Sequence, residues 1–196
     1  DVVVEGDVSE LWDGYKSDKA LGAVRDRIDL VSKPGGLINF EQLDIDPAAP
    51  YFNSGVMLVN VAKWRKESIS EKVFSYLRAH GNLVQMGDQD GLNAILHNDW
   101  VEIPTRWNQQ IVPRSLRGGS RVALPNHVER GILHFITGEK PWLPGCEYIE
   151  RHRFYDYLDK TDWTGWRIPV WRELHFRSKR ALGDLKRSIL RWQALE

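Results

Sequence analysis

The chain has 196 residues, of which 42% are hydrophobic, enough for one domain with a real core and an appendage. Its 27 Lys and Arg balance 27 Asp and Glu, so no global field draws it to nucleic acid, and no run approaches the roughly 18 apolar residues of a membrane-spanning helix. The single cysteine, Cys146, excludes an internal disulfide and fits a reducing compartment.

Asp1 leads directly into Val2, Val3 and Val4, which read as a strand. Gly6 and Asp7 turn the chain, and residues 9–12 predict a short helix in which Leu11 and Trp12 pack inward. Residues 20–24 read as a second short buried strand that ends at Arg25 and Asp26. Locally, Asp26 is a surface carboxylate beside Arg25 and Arg27. Residues 29–50 are rich in Pro, Gly and Asp and predict a long irregular loop.

The most informative stretch covers residues 51–92. Val56, Met57, Leu58, Val59 and Val61 form an apolar, β-branched run too brief for a helix, which predicts a buried strand. Asn53, Ser54 and Gly55 stand at its entry, where small residues let backbone and a polar side chain approach a ligand closely. Trp64, Ile69, Val73, Phe74 and Leu77 then recur near helical spacing, and Gly81 with Asn82 supplies the stop. Asp88, Gln89 and Asp90 follow, ahead of Leu92, Ala94, Ile95 and Leu96. Carboxylates at a helix start have a plain explanation as caps that complement the helix dipole.

Residues 101–104 predict a further short strand, followed by PTRWNQQ. Trp107 is either a core residue or, with Asn108, part of a sugar pocket, since an aromatic face stacks on a sugar while an amide reads its hydroxyls. Residues 114–121, with Gly118, Gly119 and Arg121, read as a basic loop, solvated or acting as an acceptor lid. In ILHFITGEKPW, strand residues Ile132, Leu133 and Phe135 enclose His134, a turn follows at Thr137 and Gly138, and then come Lys140, Pro141 and Trp142.

A helix is expected over residues 148–158, and Trp163, Trp166 and Trp171 then cluster around Pro169. Beyond them Leu182, Leu185, Ile189 and Trp192 fall at helical spacing among Arg177, Lys179, Arg180, Lys186, Arg187 and Arg191. Such a basic amphipathic helix either lies on an anionic membrane surface or packs on the domain by the same stripe. The expected division is therefore a domain over residues 1–160 and a basic helical tail over 161–196.

FNSGVMLVNVAKW followed by DQDGLN, together with HFITGEKPW, resembles glycosyltransferase family 8, the retaining sugar-nucleotide transferases. The resemblance covers most of residues 1–158 and implies a mixed α/β fold of the glycosyltransferase A type, Rossmann-like, seen here as its C-terminal portion. It makes Asp1 the second Asp of an Asp-x-Asp motif. The first Asp and the nucleotide-binding half, roughly a hundred residues, would then precede residue 1. It places Asp26, Asn53, Ser54, Asp88 and Gln89 at the donor sugar, with Asp88 and Gln89 catalytic, and the 29–50 loop over that site. It assigns the diphosphate to Lys140 and Gly138, a metal to Asp1 and His134, and the acceptor to Trp107 and Asn108. Thr137 stands where the family signature has Gly, with Gly138 one position later.

The implied reaction moves a hexose, glucose or galactose, from a UDP-sugar to a glycan or lipid-linked acceptor. A diphosphate leaving group needs its growing negative charge offset, which Mn²⁺ or, less exclusively, Mg²⁺ and a lysine would do. Double displacement needs a carboxylate against the anomeric carbon. The matching position here is the amide Gln89, which favours a same-face route. Some bacterial members of the family resemble this tail and act on lipid-linked acceptors at the cytoplasmic membrane, which implies a cytoplasmic protein peripheral on that membrane's inner face. The competing expectation is a non-catalytic carbohydrate-binding module.

Overall fold

The computed structural model of the protein describes residues 1–116 and 130–193, with residues 184–193 as helical backbone only. Of these, 2–110 and 130–134 form one compact unit, and Asp1, 111–116 and 135–193 form another. Expectations resting on Gly118, Gly119 and Arg121, and on the side chains of Leu185, Lys186, Arg187, Ile189, Arg191 and Trp192, lie outside the described residues.

In the first unit, β1 (Val2–Val4) leads to α1 (Val8–Gly14), started by Asp7, whose carboxylate accepts from the Ser9 amide at 2.9 Å. That bond lowers the Asp7 pKa below the ordinary carboxylate value. Leu11 packs inward as expected, but Trp12 is 69% exposed, because the short helix presents only a narrow arc to the core. β2 (Leu21–Leu30) is longer than its buried start, Leu21 to Val24. It runs antiparallel to β3 (Pro50–Val59), so Asp26 lies within the strand rather than at its end. The chain between them carries its own apolar residues: Val31, Leu37 and Ile45 bury against Tyr51, Tyr76 and Ala94. The irregular segment is thus packed down.

After β3 the single expected helix divides into α2 (Val61–Lys66), capped by Asn60, and α3 (Ile69–Ala79). Ser68 at φ 51° makes the corner between them. Ile69, Val73 and Tyr76 face the core, whereas Phe74 is 58% exposed. α4 (Asp88–Leu96) follows Gly87, whose φ of 61° suits a residue without Cβ. β4 (Trp100–Glu102) runs parallel to β2, giving the strand order β3-β2-β4. Ala20, Leu21, Ala23, Phe52, Ile69, Val73, Leu92, Leu96 and Trp100 form the core between this sheet and the helices α3 and α4. A second sheet has the order β1-β6-β5, built with β5 (Gln109–Ile111) and β6 (Ile132–Phe135).

The second unit contains α5 (Arg151–Leu158) and α6 (Val170–Gln193). Glu173 of α6 accepts from the Gly145 amide at 3.0 Å, and Arg180 pairs with Glu147 at 2.5 Å. Trp163, Trp166, Val170, Trp171, Leu174 and Leu182 are exposed. No helix among the described residues is long and apolar enough to cross a membrane.

Candidate active site

A register slip creates the site. Leu21, Gly22 and Ala23 of β2 pair with Val59, Leu58 and Met57, but Val24 pairs with Asn53, so Ser54, Gly55 and Val56 are pushed out of the ladder. Such irregularities bend a strand and re-aim its side chains, and they favour active sites. The buried part of β3 is accordingly Tyr51, Phe52 and Asn53, while Val56 to Val59 are half-buried, not the fully buried run that composition suggests.

Asn53 and Gln89 meet on one carboxylate. Asp26 Oδ2 accepts from Asn53 Nδ2 at 2.8 Å and from Gln89 Nε2 at 3.2 Å, while its Oδ1 accepts from the Ile28 amide at 2.9 Å. Asp26 is therefore not the simple surface ion-pair partner that its neighbours Arg25 and Arg27 suggest. Arg25 pairs instead with Glu102 at 2.7 Å. Gln89 Oε1 accepts from the Ser54 amide at 3.0 Å, which orients the side chain from both ends. The network continues from Asn53 Oδ1, which accepts from Asn108 Nδ2 at 2.8 Å and the Gly55 amide at 3.0 Å. Asn108 Oδ1 in turn lies 2.9 Å from His134 Nδ1.

Two residues of α4 that lie in the DQDGLN motif but outside the expected site fix this arrangement. Asn93, fully buried, accepts from the Phe52 amide and donates to the Phe52 and Gln89 carbonyls, each at 2.9 Å. It thereby ties the first turn of α4 to β3. Asp90, 1% exposed, accepts from the Tyr51 hydroxyl at 2.5 Å and from the Gln85 and Met86 amides at 2.6 and 2.9 Å. Burial and then Asp90 hold the Tyr51 phenol well above its ordinary pKa. Asn93 closes the DQDGLN motif one helical turn beyond Gln89, and those two signals together could have revealed it.

Of the expected site residues, the structure brings together Asp26, Asn53, Ser54, Gln89, Asn108 and His134. Asp88 is exposed in the first turn of α4 and does not join them, consistent with its reading as a helix-start carboxylate. Trp107, expected at the acceptor, is instead 1% exposed and packed with Val24, Ile103 and Ile132 beneath the Arg106 guanidinium. No face of its ring is open to a sugar. Asn108, expected beside it, is fully buried and spends its amide on Asn53 and His134.

In the other unit, Lys140 Nζ contacts the Asp1 carboxylate at 2.8 Å and donates to the Phe135 carbonyl at 2.5 Å. Burial lowers its pKa below the ordinary lysine value. Gly138 is exposed in the turn before it. Among the described residues no group of three or more His, Cys, Asp or Glu side chains is gathered to hold a metal.

The profile described as glycosyl transferase family 8 matches residues 1–146. The chain belongs to this family. General stress protein A of Bacillus subtilis (strain 168) is 31% identical over 172 residues, covering 83% of this chain and 57% of that protein. The lipopolysaccharide 1,2-glucosyltransferase of Escherichia coli (strain K12) is 24% identical over 166 residues, covering 83% of this chain and 48% of that protein. The chain thus spans about half the length of these curated relatives. Among solved structures, the galactosyltransferase LgtC in complex with donor and acceptor sugar analogs superposes with a TM-score of 0.64. Its sequence identity is 24%, with 88% of this chain and 62% of that one covered. The glycosyltransferase GlyE of Streptococcus pneumoniae TIGR4 gives 0.62 at 24% identity, with 83% and 38% covered. The fold is the glycosyltransferase A type.

Proposed function

We propose that this chain forms the sugar-binding part of a retaining hexosyltransferase that moves glucose or galactose from a UDP-sugar to a glycan or lipid-linked oligosaccharide. The observation that supports it is the convergence of Asn53 and Gln89, from separate motifs, on the Asp26 carboxylate. A carboxylate already oriented by two amides is suited to accept from sugar hydroxyls and to favour the positive charge that develops on the ring. Gln89 is held from both ends and carries no negative charge, so it acts by position and dipole, not as a nucleophile. In the same-face route the bond from the anomeric carbon to the phosphate oxygen breaks while the acceptor oxygen bonds on that face. The acceptor proton passes to the departing phosphate oxygen.

Lys140 and the turn at Gly138 are assigned to the diphosphate, with Asp1 as the counter-charge that Lys140 exchanges for it. Bound Mn²⁺ or Mg²⁺, with Asp1 and His134 as protein donors, would supply charge neutralisation of the leaving group. Residues 1–160 carry the transferase function in this reading. The tail at 161–196, with exposed Trp163, Trp171 and Leu174 near Arg172 and Arg177, seats the protein on an anionic inner membrane surface.

The test is thermal unfolding with UDP-glucose and UDP-galactose, with and without Mn²⁺, followed by NMR of the product's anomeric configuration. At a hundred times Kd a native-state ligand adds about 2.7 kcal/mol, or roughly 5–10 °C for a chain of this size. Asp26→Ala is expected to abolish that shift. Stabilisation by free sugars but by no UDP-sugar would support the carbohydrate-binding module instead.

A further inference from the structure

Hydrogen-bond polarity in the candidate site is determined from its ends. Asp26, as a carboxylate, only accepts, so the group that Asn53 presents to it must be the NH₂. The Gly55 amide only donates, so the group facing it must be the Asn53 carbonyl oxygen. These two anchors fix the Asn53 amide without reference to any other side chain. With Asn53 Oδ1 turned toward Asn108, the latter must direct its own NH₂ there. Its carbonyl oxygen is then left for the imidazole of His134, at 2.9 Å. An amide oxygen accepts, so the His134 nitrogen facing it, Nδ1, must carry the hydrogen.

We propose that Asn108 is a positioning residue that, through Asn53 and Asp26, holds His134 as its Nδ1–H tautomer and so gives Nε2 the lone pair. Free imidazole side chains favour the opposite tautomer, and the identity of the protonated nitrogen follows from the bond the other one makes. Asn108 is fully buried and His134 is 8% exposed, so no bulk water competes for this bond. Gly55 supports the arrangement sterically, since a Cβ there would lie 2.1 Å from His134 Cε1, and the ring therefore sits against bare backbone. With the hydrogen on Nδ1, Nε2 is the ring nitrogen that accepts. The inference deepens the site reading of the previous subsection, but its logic needs only the hydrogen-bond directions.

The experiment is a long-range ¹H–¹⁵N correlation spectrum of the full chain carrying ¹⁵N-histidine, recorded above neutral pH without metal or nucleotide. His134 is assigned among the six histidines by the signal lost in His134→Gln. The expected pattern has a pyrrole-like Nδ1 and a pyridine-like Nε2. Asn108→Asp keeps the acceptor and is expected to preserve that pattern. Asn108→Ala is expected to shift it toward the Nε2–H form, and Asn53→Ala, which frees Asn108 to turn over, toward a mixture. A dominant Nε2–H form in the wild type overturns the proposal even where a variant fails to fold. So does an Nδ1–H pattern that persists in folded Asn108→Ala. Nδ1–H with no stabilisation by UDP-sugars would leave this inference standing and remove the functional reading. Nε2–H with normal UDP-sugar binding would do the reverse.

Discussion

The polar side chains around Asp26 and those of the C-terminal segment obey opposite rules. Around Asp26 the amides of Asn53, Gln89, Asn93 and Asn108 are buried, and their bonds to Asp26, to one another, to backbone and to His134 run from 2.8 to 3.2 Å. In the segment from Asp159 to Leu182, arginines, acids and tryptophans stand largely in solvent. A buried amide cannot replace a lost partner with water, so each of its bonds is worth the full cost of leaving a group unpaired. An exposed ion pair merely exchanges one solvation for another. Chemistry that depends on the position of an atom therefore belongs in the first region, and reversible surface contact in the second.

The largest effect that would test this contrast comes from Asn93→Ala. The substitution removes three hydrogen bonds at a site with no solvent exposure and leaves the Phe52 amide and two carbonyls without this partner. At about 1–3 kcal/mol for each unsatisfied buried group, a loss of roughly 3 kcal/mol or more is expected. Equilibrium urea unfolding measures it. If the protein still folds, the first turn of α4 loses its tie to β3 and Gln89 loses its register. UDP-sugar affinity should then fall further than in a surface variant of equal stability. A loss below 1 kcal/mol would mean that the network tolerates an unpaired member, and the contrast would fail.

Gly55→Ala probes the same network through space rather than through bonding. The added Cβ would meet three ring atoms of His134 between 2.1 and 2.9 Å, and the ring is buried behind Asn108. Overpacking of this kind costs about 1–3 kcal/mol, and the movement of the imidazole should break its contact with Asn108. The combined reading is unfolding by urea and the His134 nitrogen pattern. An unchanged pattern at full stability would mean that the ring has room the structure does not show.

How much of this was legible in the sequence follows from the range of each interaction. Asn53, Gln89 and His134 were visible because each stands in a dense local motif, whereas Asp26 reads locally as a surface carboxylate and was singled out only by the family resemblance. The linkage of Asn53 to Asn108 and of Asn93 to Phe52 was not visible, since it depends on the slip in β3 and on how α4 packs against that strand. Aromatic residues misled for a related reason. Phe74 matches helical spacing and Trp12 was expected to pack inward beside Leu11, but neither signal says where the buried face ends, and both lie outside the buried arc. Trp107 takes the core alternative of its two readings, because the same ring that suits a sugar also suits a core. Asp, Pro and Gly at residues 29–50 correctly predicted irregular chain, while Val31, Leu37 and Ile45, dispersed among them, pinned it to the core.

The smallest effect is expected at Asp159. Its carboxylate receives two bonds from Arg167, at 2.9 and 2.6 Å, and one from the Gly165 amide at 3.0 Å. The Arg167 bonds come first among the causes that push its pKa down to about 2. A folded-state pKa below the ordinary value means that the pair contributes above the unfolded pKa of 3.8 and is lost as pH falls through about 2. At neutral pH the pair is fully formed, yet both groups face water, so Asp159→Asn should hardly move the unfolding midpoint there. The difference between variant and wild type should be present at pH 6, shrink as the pH is lowered from 4 toward 2, and fade in 1 M salt, where screening reaches within about 3 Å. Comparing the two midpoints across that range decides it. A large neutral-pH effect that resists salt would show that this corner of the C-terminal segment is organised like the buried network, and the distinction between the two regions would have to be redrawn around it.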